Sequence, residues 1–204
     1  QMQRISTPFS GVLYAGLMVD PSGVLWVVEF NCRLGDPEAQ VLLPRLKTPL
    51  EEICKAVAAG GLSLVGPIEW DDAAAVGVVL ASDGYPTSHL APQPIKGLAD
   101  LQEGVLVFHG AGELFGATAL QPVEATPKPT ILQSLFGKSS AKMTDNLKSD
   151  FLSPRLTATG GRLLTVVAQG RSVAEARETV YRNIPRIQTG SAQYRKDIGE
   201  REDS

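Results

Sequence analysis

Glu29, Asn31 and Arg33 alternate within the run Val28-Glu29-Phe30-Asn31-Cys32-Arg33-Leu34-Gly35-Asp36-Pro37-Glu38. The run reads as a β-strand. Its period-2 geometry sends these three side chains to one face and Val28, Phe30 and Cys32 to the other. A carboxylate, an amide oxygen and a guanidinium on one face suit a hard metal ion with its bound phosphates. Magnesium takes oxygen ligands, and arginine grips phosphate or carboxylate. The same residues would also suit a half-exposed strand with a polar outer face, and the segment after the strand bears on the choice. Gly35 allows a tight turn, Asp36 is placed to N-cap a helix, and Pro37 fits the first helical position, where a missing N–H costs nothing. Glu38 adds negative charge that favours the helix dipole. The strand is thus expected to feed directly into a helix start, whose open N–H groups bind anions, and Pro44 keeps that helix short.

The elements that position this face begin with a hairpin. Gly11 to Asp20 and Val24 to Cys32 flank Pro21-Ser22-Gly23, a turn with the expected proline and glycine. Cys32 is expected to pack on the apolar face as a small hydrophobe. Thr48-Pro49-Leu50-Glu51 reads as a capping box. Leu50, Ile53, Cys54, Val57 and Ala58 then give the stripe of an amphipathic helix, ended by Gly60-Gly61 and expected to pack behind the hairpin. Residues 62–72 read as a linker with a solvated Asp71-Asp72 pair. The apolar run Ala73 to Ala81 suits a buried central strand, Ser82 to Pro86 a turn built on Gly84, and Val105 to His109 and Leu163 to Ala168 two further strands. Ser172-Val173-Ala174-Glu175 is a second capping box. Val173, Ala176, Val180, Ile184 and Ile187 mark the buried face of its helix, which Pro185 bends or ends. The charged segment 194–204 is expected to dock through its first part and to be disordered at its end. Strands around such a helix predict a small α+β domain.

Composition narrows the function classes. The chain has 204 residues, 43% of them hydrophobic, enough for a buried core, and its net charge of −3 argues against nucleic acid or an anionic membrane as partner. No apolar run approaches the roughly 20 residues of a membrane span. Cys32 and Cys54 make neither a disulfide framework nor a zinc site, and a reducing, cytoplasmic setting fits. Gly110-Ala111-Gly112 comes after a strand, but the next glycine, Gly116, falls one place late for a dinucleotide fingerprint. His89 and His109 lack partners at ligand spacing.

GVLYAGLMVD followed by VVEFNCRLGDPEAQVLLPRL resembles the end of the nucleotide-binding domain of the phosphoribosylamine–glycine ligase family, also called glycinamide ribonucleotide synthetases, in the ATP-grasp superfamily. Residues 75–86, 95–98, 107–109, 159–162 and 194–199 resemble that family's carboxy-terminal domain, in the same order. The resemblance implies residues 1–68 as the carboxy-terminal part of an ATP-grasp domain and 69–204 as the small α+β carboxy-terminal domain. The stretch 115–156, rich in proline, is longer than the family leads one to expect and reads as a surface excursion. Gly110-Ala111-Gly112 also departs from the family's usual Ala-Gly-Thr.

The implied reaction uses ATP to phosphorylate glycine. The amine of 5-phosphoribosylamine then attacks the acyl phosphate to give glycinamide ribonucleotide, ADP and phosphate, in de novo purine synthesis. By matching position, Glu29 and Asn31 would bind Mg2+ or Mn2+. Arg33 would act on the transferring phosphoryl or the substrate carboxylate, unless it forms an ion pair with Asp36 or Glu38. Asp36 and Glu38 would contact substrate. The implied partners are glycine, 5-phosphoribosylamine, ATP and the amino-terminal domains of the same enzyme. Without those domains the chain is expected to lack ligase activity. A non-catalytic scaffold module, or another ATP-grasp carboxylate–amine ligase, is the alternative.

Overall fold

Apolar segments on either side of Pro21-Ser22-Gly23 pair as an antiparallel hairpin, β1 (Tyr14–Val19) and β2 (Leu25–Asn31). A computed structural model describes residues 9–87, 93–115, 155–158 and 160–200. Asp20 organises the hairpin turn. Its Oδ1 accepts from the Ser22 amide, the Ser22 hydroxyl and the Val24 amide, and its Oδ2 accepts from the Trp26 indole N–H at 3.1 Å. Hydrogen bonds from Ser22, then Trp26, hold the carboxyl down at about 2. This support for the turn is complete above the ordinary carboxylate range and is lost as pH falls through about 2. The strands are not covered. Met18, Leu25, Trp26, Val28 and Phe30 are all at least 60% exposed.

After β2 the chain turns into α1 (Glu38–Leu42), a turn at Leu43–Arg45 containing Pro44, and then α2 (Leu50–Ala58). Pro44 thus shortens the first helix as expected. Three local expectations change. Pro37, not Asp36, precedes α1, and no side chain caps the helix. Thr48 does not cap α2 either; its hydroxyl accepts from the Glu69 amide at 2.7 Å. The α2 stripe stays open, with Leu50 43% exposed, Ile53 and Val57 half-buried and Cys54 exposed. Cys32 is likewise exposed, because the hairpin has no covering layer on that face.

The stretch read as a linker is tied down. Leu46 bridges Trp70, the Lys47 amide donates to the Glu69 carbonyl, and Arg45 and Asp71 exchange backbone and side-chain hydrogen bonds. Asp71 also accepts from the Ala73 amide and pairs with Lys47, so it is not simply solvated.

The core lies in the second half. β3 (Ala74–Ser82), β5 (Leu106–His109), β8 (Arg162–Gly170) and β9 (Ala192–Gln193) form a sheet in the order β5-β8-β3-β9. β3 and β8 are antiparallel and central. One face of that pair (Val76, Val78, Leu80, Leu164, Val166, Ala168) packs against α3 (Val173–Asn183) through Ala176 and Val180, and Ile184 just beyond joins the cluster. Each buried Val, Leu or Ile among these contributes about 1.5–3 kcal/mol. On the other face α1 rests on β3 at Gly77, where a Cβ would stand 2.7 Å from Val41.

A second sheet of β4 (Gln93–Pro94), β6 (Gly112–Phe115) and β7 (Arg155–Ala158) has the order β4-β7-β6. Arg155 and Leu156, the last two residues of the expected surface excursion, are therefore strand. The rest of that excursion, with His89 and the chain's final residues, lies outside the described residues.

The α3 cap forms as read. The Ser172 hydroxyl accepts from the Glu175 amide at 3.2 Å, and Glu175 accepts in turn from the Arg171 amide. The α-helix ends at Asn183, and one 3-10 turn, Ile184–Arg186, holding Pro185 follows directly. The segment after β9 docks: the Tyr181 hydroxyl donates to the Arg195 carbonyl, and Arg177 donates to the carbonyls of Lys196 and Ile198.

Asn183 is fully buried and serves two elements. Its Oδ1 accepts from the Gln102 amide, and its Nδ2 donates to Gln102 Oε1 and the Thr179 carbonyl. Asn183→Ala strands a buried amide and is expected to cost about 2–3 kcal/mol, read as a lower urea midpoint at unchanged slope.

Candidate functional site

The open face of the hairpin gathers the polar residues. Asn31 Nδ2 donates to Glu29 Oε1 at 2.8 Å, so the amide and the carboxylate sit side by side. The register pairs Gly16 with Glu29 and Tyr14 with Asn31. It shifts between Gly16 and Leu17, so Val28 has no partner across the hairpin. Strict alternation therefore does not run through β2, yet Glu29 and Asn31 fall on the same side of the shift and stay together.

Tyr14 joins them. Its hydroxyl donates to Glu38 Oε1 at 3.1 Å, which bridges the hairpin to the start of α1. Glu38 reaches back because Gly35 leaves room: a Cβ there would lie 2.3 Å from Glu38 Oε2. The Tyr14 phenol is held above its usual range, chiefly by the hydrogen bond to Glu38, with the charges of Glu38 and Glu29 adding to it. Glu29, Asn31, Glu38 and Tyr14 thus form one oxygen-rich cluster.

The donor set fits a hard divalent cation. Glu29 and Asn31 each carry a side-chain oxygen, the Asn31 amide meeting Glu29 through its Nδ2, and Glu38 stands beyond Tyr14. Among the described residues no group of three His, Cys, Asp or Glu side chains forms a closed metal cage.

Arg33 departs from its expected place. β2 ends at Asn31, so Arg33 lies in the bend beyond the strand and donates to the Leu34 carbonyl at 2.8 Å. It pairs with neither Asp36 nor Glu38. Those carboxylates are engaged elsewhere, Glu38 by Tyr14 and Asp36 by Arg162 and Gln40. The cluster thus brings Glu29, Asn31 and Glu38 together, while Arg33 and Asp36 occupy the connecting turn.

Asp36 faces the carboxy-terminal sheet. Its Oδ2 lies 2.8 Å from Arg162 Nη2, and its Oδ1 accepts from Gln40 Nε2 at 2.9 Å. A cleft between this turn and strands β5 and β8 is lined by Asp36, Gln40, His109 and Arg162. Tyr14, Gln40 and Arg162 were not singled out from the sequence. Counting the hairpin register from its turn would have placed Phe30 opposite Tyr14; the shift between Gly16 and Leu17 is what brings Asn31 there. No local signal points from Arg162 to a partner 126 residues away.

Comparison with known proteins identifies relatives of the chain. The family described as "Phosphoribosylglycinamide synthetase, C domain" matches residues 75–201, and "Phosphoribosylglycinamide synthetase, ATP-grasp (A) domain" matches residues 1–39. The phosphoribosylamine–glycine ligase of a Synechocystis species is 37% identical over 192 residues, spanning 94% of this chain and 37% of the relative. That of Streptomyces coelicolor is 37% identical over 198 residues, spanning 97% of this chain and 39% of the relative. The crystal structure of phosphoribosylamine–glycine ligase from Thermotoga maritima superposes with a TM-score of 0.59 at 26% identity, covering 91% of this chain and 36% of that one. The chain thus spans somewhat over a third of the length of the relatives it matches.

The Tyr14–Glu38 contact has a titration signature. The Tyr14 phenol is expected to ionise above 10.0, with the contact intact below that pH and lost as pH rises through the raised value. In Glu38→Gln the value should fall back toward 10.0. NMR of ring-labelled tyrosine checks both, and an unchanged Tyr14 titration in the variant would count against the cluster.

Proposed function

The chain belongs to the phosphoribosylglycinamide synthetase family, and we propose that it supplies the metal-binding hairpin and the carboxy-terminal domain of a phosphoribosylamine–glycine ligase. The observation that carries the site is the Glu29–Asn31 pair, one carboxylate and one amide held together at 2.8 Å on an open hairpin face. Family membership marks the protein as one of an ATP-dependent ligase family.

In the proposed reaction a glycine carboxylate oxygen attacks the γ-phosphorus of ATP, and ADP leaves. The amine of 5-phosphoribosylamine then attacks the acyl carbon, phosphate departs, and the amine loses a proton to give glycinamide ribonucleotide. Such phosphoryl transfer depends on positioning and charge neutralisation more than on covalent chemistry by the protein. Glu29 and Asn31 would hold Mg2+ or Mn2+, and the ion supplies neutralisation of the phosphate oxygens. Asn31 contributes a neutral oxygen, so the site is not overloaded with negative charge beside ATP. Arg33 is assigned to the transferring phosphoryl or the substrate carboxylate. The guanidinium must then turn from the Leu34 carbonyl to the ligand, and no acidic side chain among the described residues holds it back. Glu38, oriented by Tyr14, and Asp36 are assigned to substrate contact.

Residues 1–68 are assigned to the ATP-grasp domain and 69–204 to the carboxy-terminal domain. The partners are glycine, 5-phosphoribosylamine, ATP and the domains that make up the remaining length of the relatives. The exposed apolar hairpin is the surface on which we place the rest of the nucleotide-binding domain. No helix among the described residues is long and apolar enough to cross a membrane, and we assign the protein to the cytoplasm, where its two free thiols would stay reduced.

The test is ADP release by the complete gene product, dependent on both glycine and 5-phosphoribosylamine. Asn31→Ala is expected to lower kcat by roughly 10²-fold, the scale for deleting one pre-aimed electrostatic contact. An inactive wild-type protein would favour a scaffold. Glycine-independent turnover would favour another ligase, and full activity in the variant would remove the metal assignment.

A further inference from the structure

We propose that Arg162 is a positioning residue that aligns the Arg33–Glu38 segment by clamping Asp36. Its effect on turnover rests on the ligase reading above.

The clamp is built from both ends. Arg162 opens β8, and its backbone is fixed on two sides. Its carbonyl accepts from the Ala111 amide at 2.7 Å. The preceding Gly161 is stapled to the end of β3, its amide donating to Ser82 Oγ at 3.0 Å and its carbonyl accepting from the Ser82 amide at 2.8 Å. Gly110 closes in so tightly that a Cβ there would lie 2.2 Å from the Arg162 carbonyl oxygen. From this anchor the guanidinium reaches across to the turn. Nη1 donates to the Asp36 backbone carbonyl at 2.7 Å, and Nη2 pairs with Asp36 Oδ2 at 2.8 Å. Gln40 Nε2 takes the remaining carboxylate oxygen at 2.9 Å.

Main chain and side chain of Asp36 are thereby held at once, and Asp36 stands between Arg33 and Glu38. Only a planar fork can make both contacts in this way; an ammonium can serve one acceptor well but not the pair. The two side chains are 41% and 49% exposed, and a pair this open adds little to folding stability. Its consequence is geometric. It sets where the substrate-facing turn lies relative to a sheet whose own position is fixed by the buried core. Misplacing a reacting group by about 1 Å is enough to cost about 100-fold in rate.

The test uses the complete gene product carrying Arg162→Ala or Arg162→Lys, examined by hydrogen exchange and by kinetics. In Arg162→Ala, amides of residues 34–42 should exchange faster, while those of β3 and β8 keep wild-type rates. At the same time kcat should fall by about 10–100-fold with the KM for ATP unchanged. Arg162→Lys should recover part of both effects. Unchanged exchange over 34–42 in the alanine variant would overturn the proposal. So would faster exchange throughout β3 and β8, which would make Arg162 a general stabiliser, or a lysine variant no better than alanine. A wild-type protein without glycine-dependent ADP release would end the ligase reading alone, since the exchange measurement still decides what Arg162 does.

Discussion

The long antiparallel ladder between β3 and β8 must be covered on both faces, and most of the described structure depends on that constraint. The two strands are apolar on each side, so a single covering helix could not satisfy them. α3 covers one face with Ala176 and Val180. The other face receives α1, through Val41 against Gly77. Since α1 directly continues the turn after the hairpin, burying the second face also brings Asp36 to Arg162. The core of the carboxy-terminal unit and the placement of the polar site are therefore one packing problem.

The site itself is held by contacts of a different kind. Asn31 to Glu29, Tyr14 to Glu38 and Arg162 to Asp36 are hydrogen bonds or ion pairs between exposed groups. None contributes much to folding, and each fixes a direction. Water competes for such groups, and they keep their geometry only because their backbones are set by the hairpin register, by the room at Gly35 and by the β8 anchor. Stability is concentrated in the sheet, and the polar groups that would meet charged substrates remain outside it.

Much of this was legible in the sequence where the deciding forces are local. The strand runs at 73–81 and 163–168, the hairpin around Pro21-Ser22-Gly23 and the Ser172 cap all depend on residues within a few positions of each other, and all form. The pairing of Glu29 with Asn31 was legible for the same reason. Asp36 and Thr48 were not. Both are good helix caps by residue type, but Asp36 is claimed by a guanidinium 126 residues away and Thr48 by the Glu69 amide. A cap is a weak local preference, and a charge-assisted or tertiary hydrogen bond displaces it. The register shift beside Val28 and the short strands β4, β6 and β7 carry little pattern of their own. Their pairing is set by segments distant in the chain.

Gly77 illustrates how far the placement of a polar cluster depends on residues outside it. The notch left by its missing side chain is what lets a helix from one part of the molecule seat on a sheet from another. Enlarging this one position would leave every polar group of the site in the sequence and still lift the turn that carries them away from Arg162. For anyone redesigning the protein, residue 77 is therefore a tuning point for how the turn meets the sheet. A defect there would act on the exposed turn while sitting beneath the surface, on the far side of a helix.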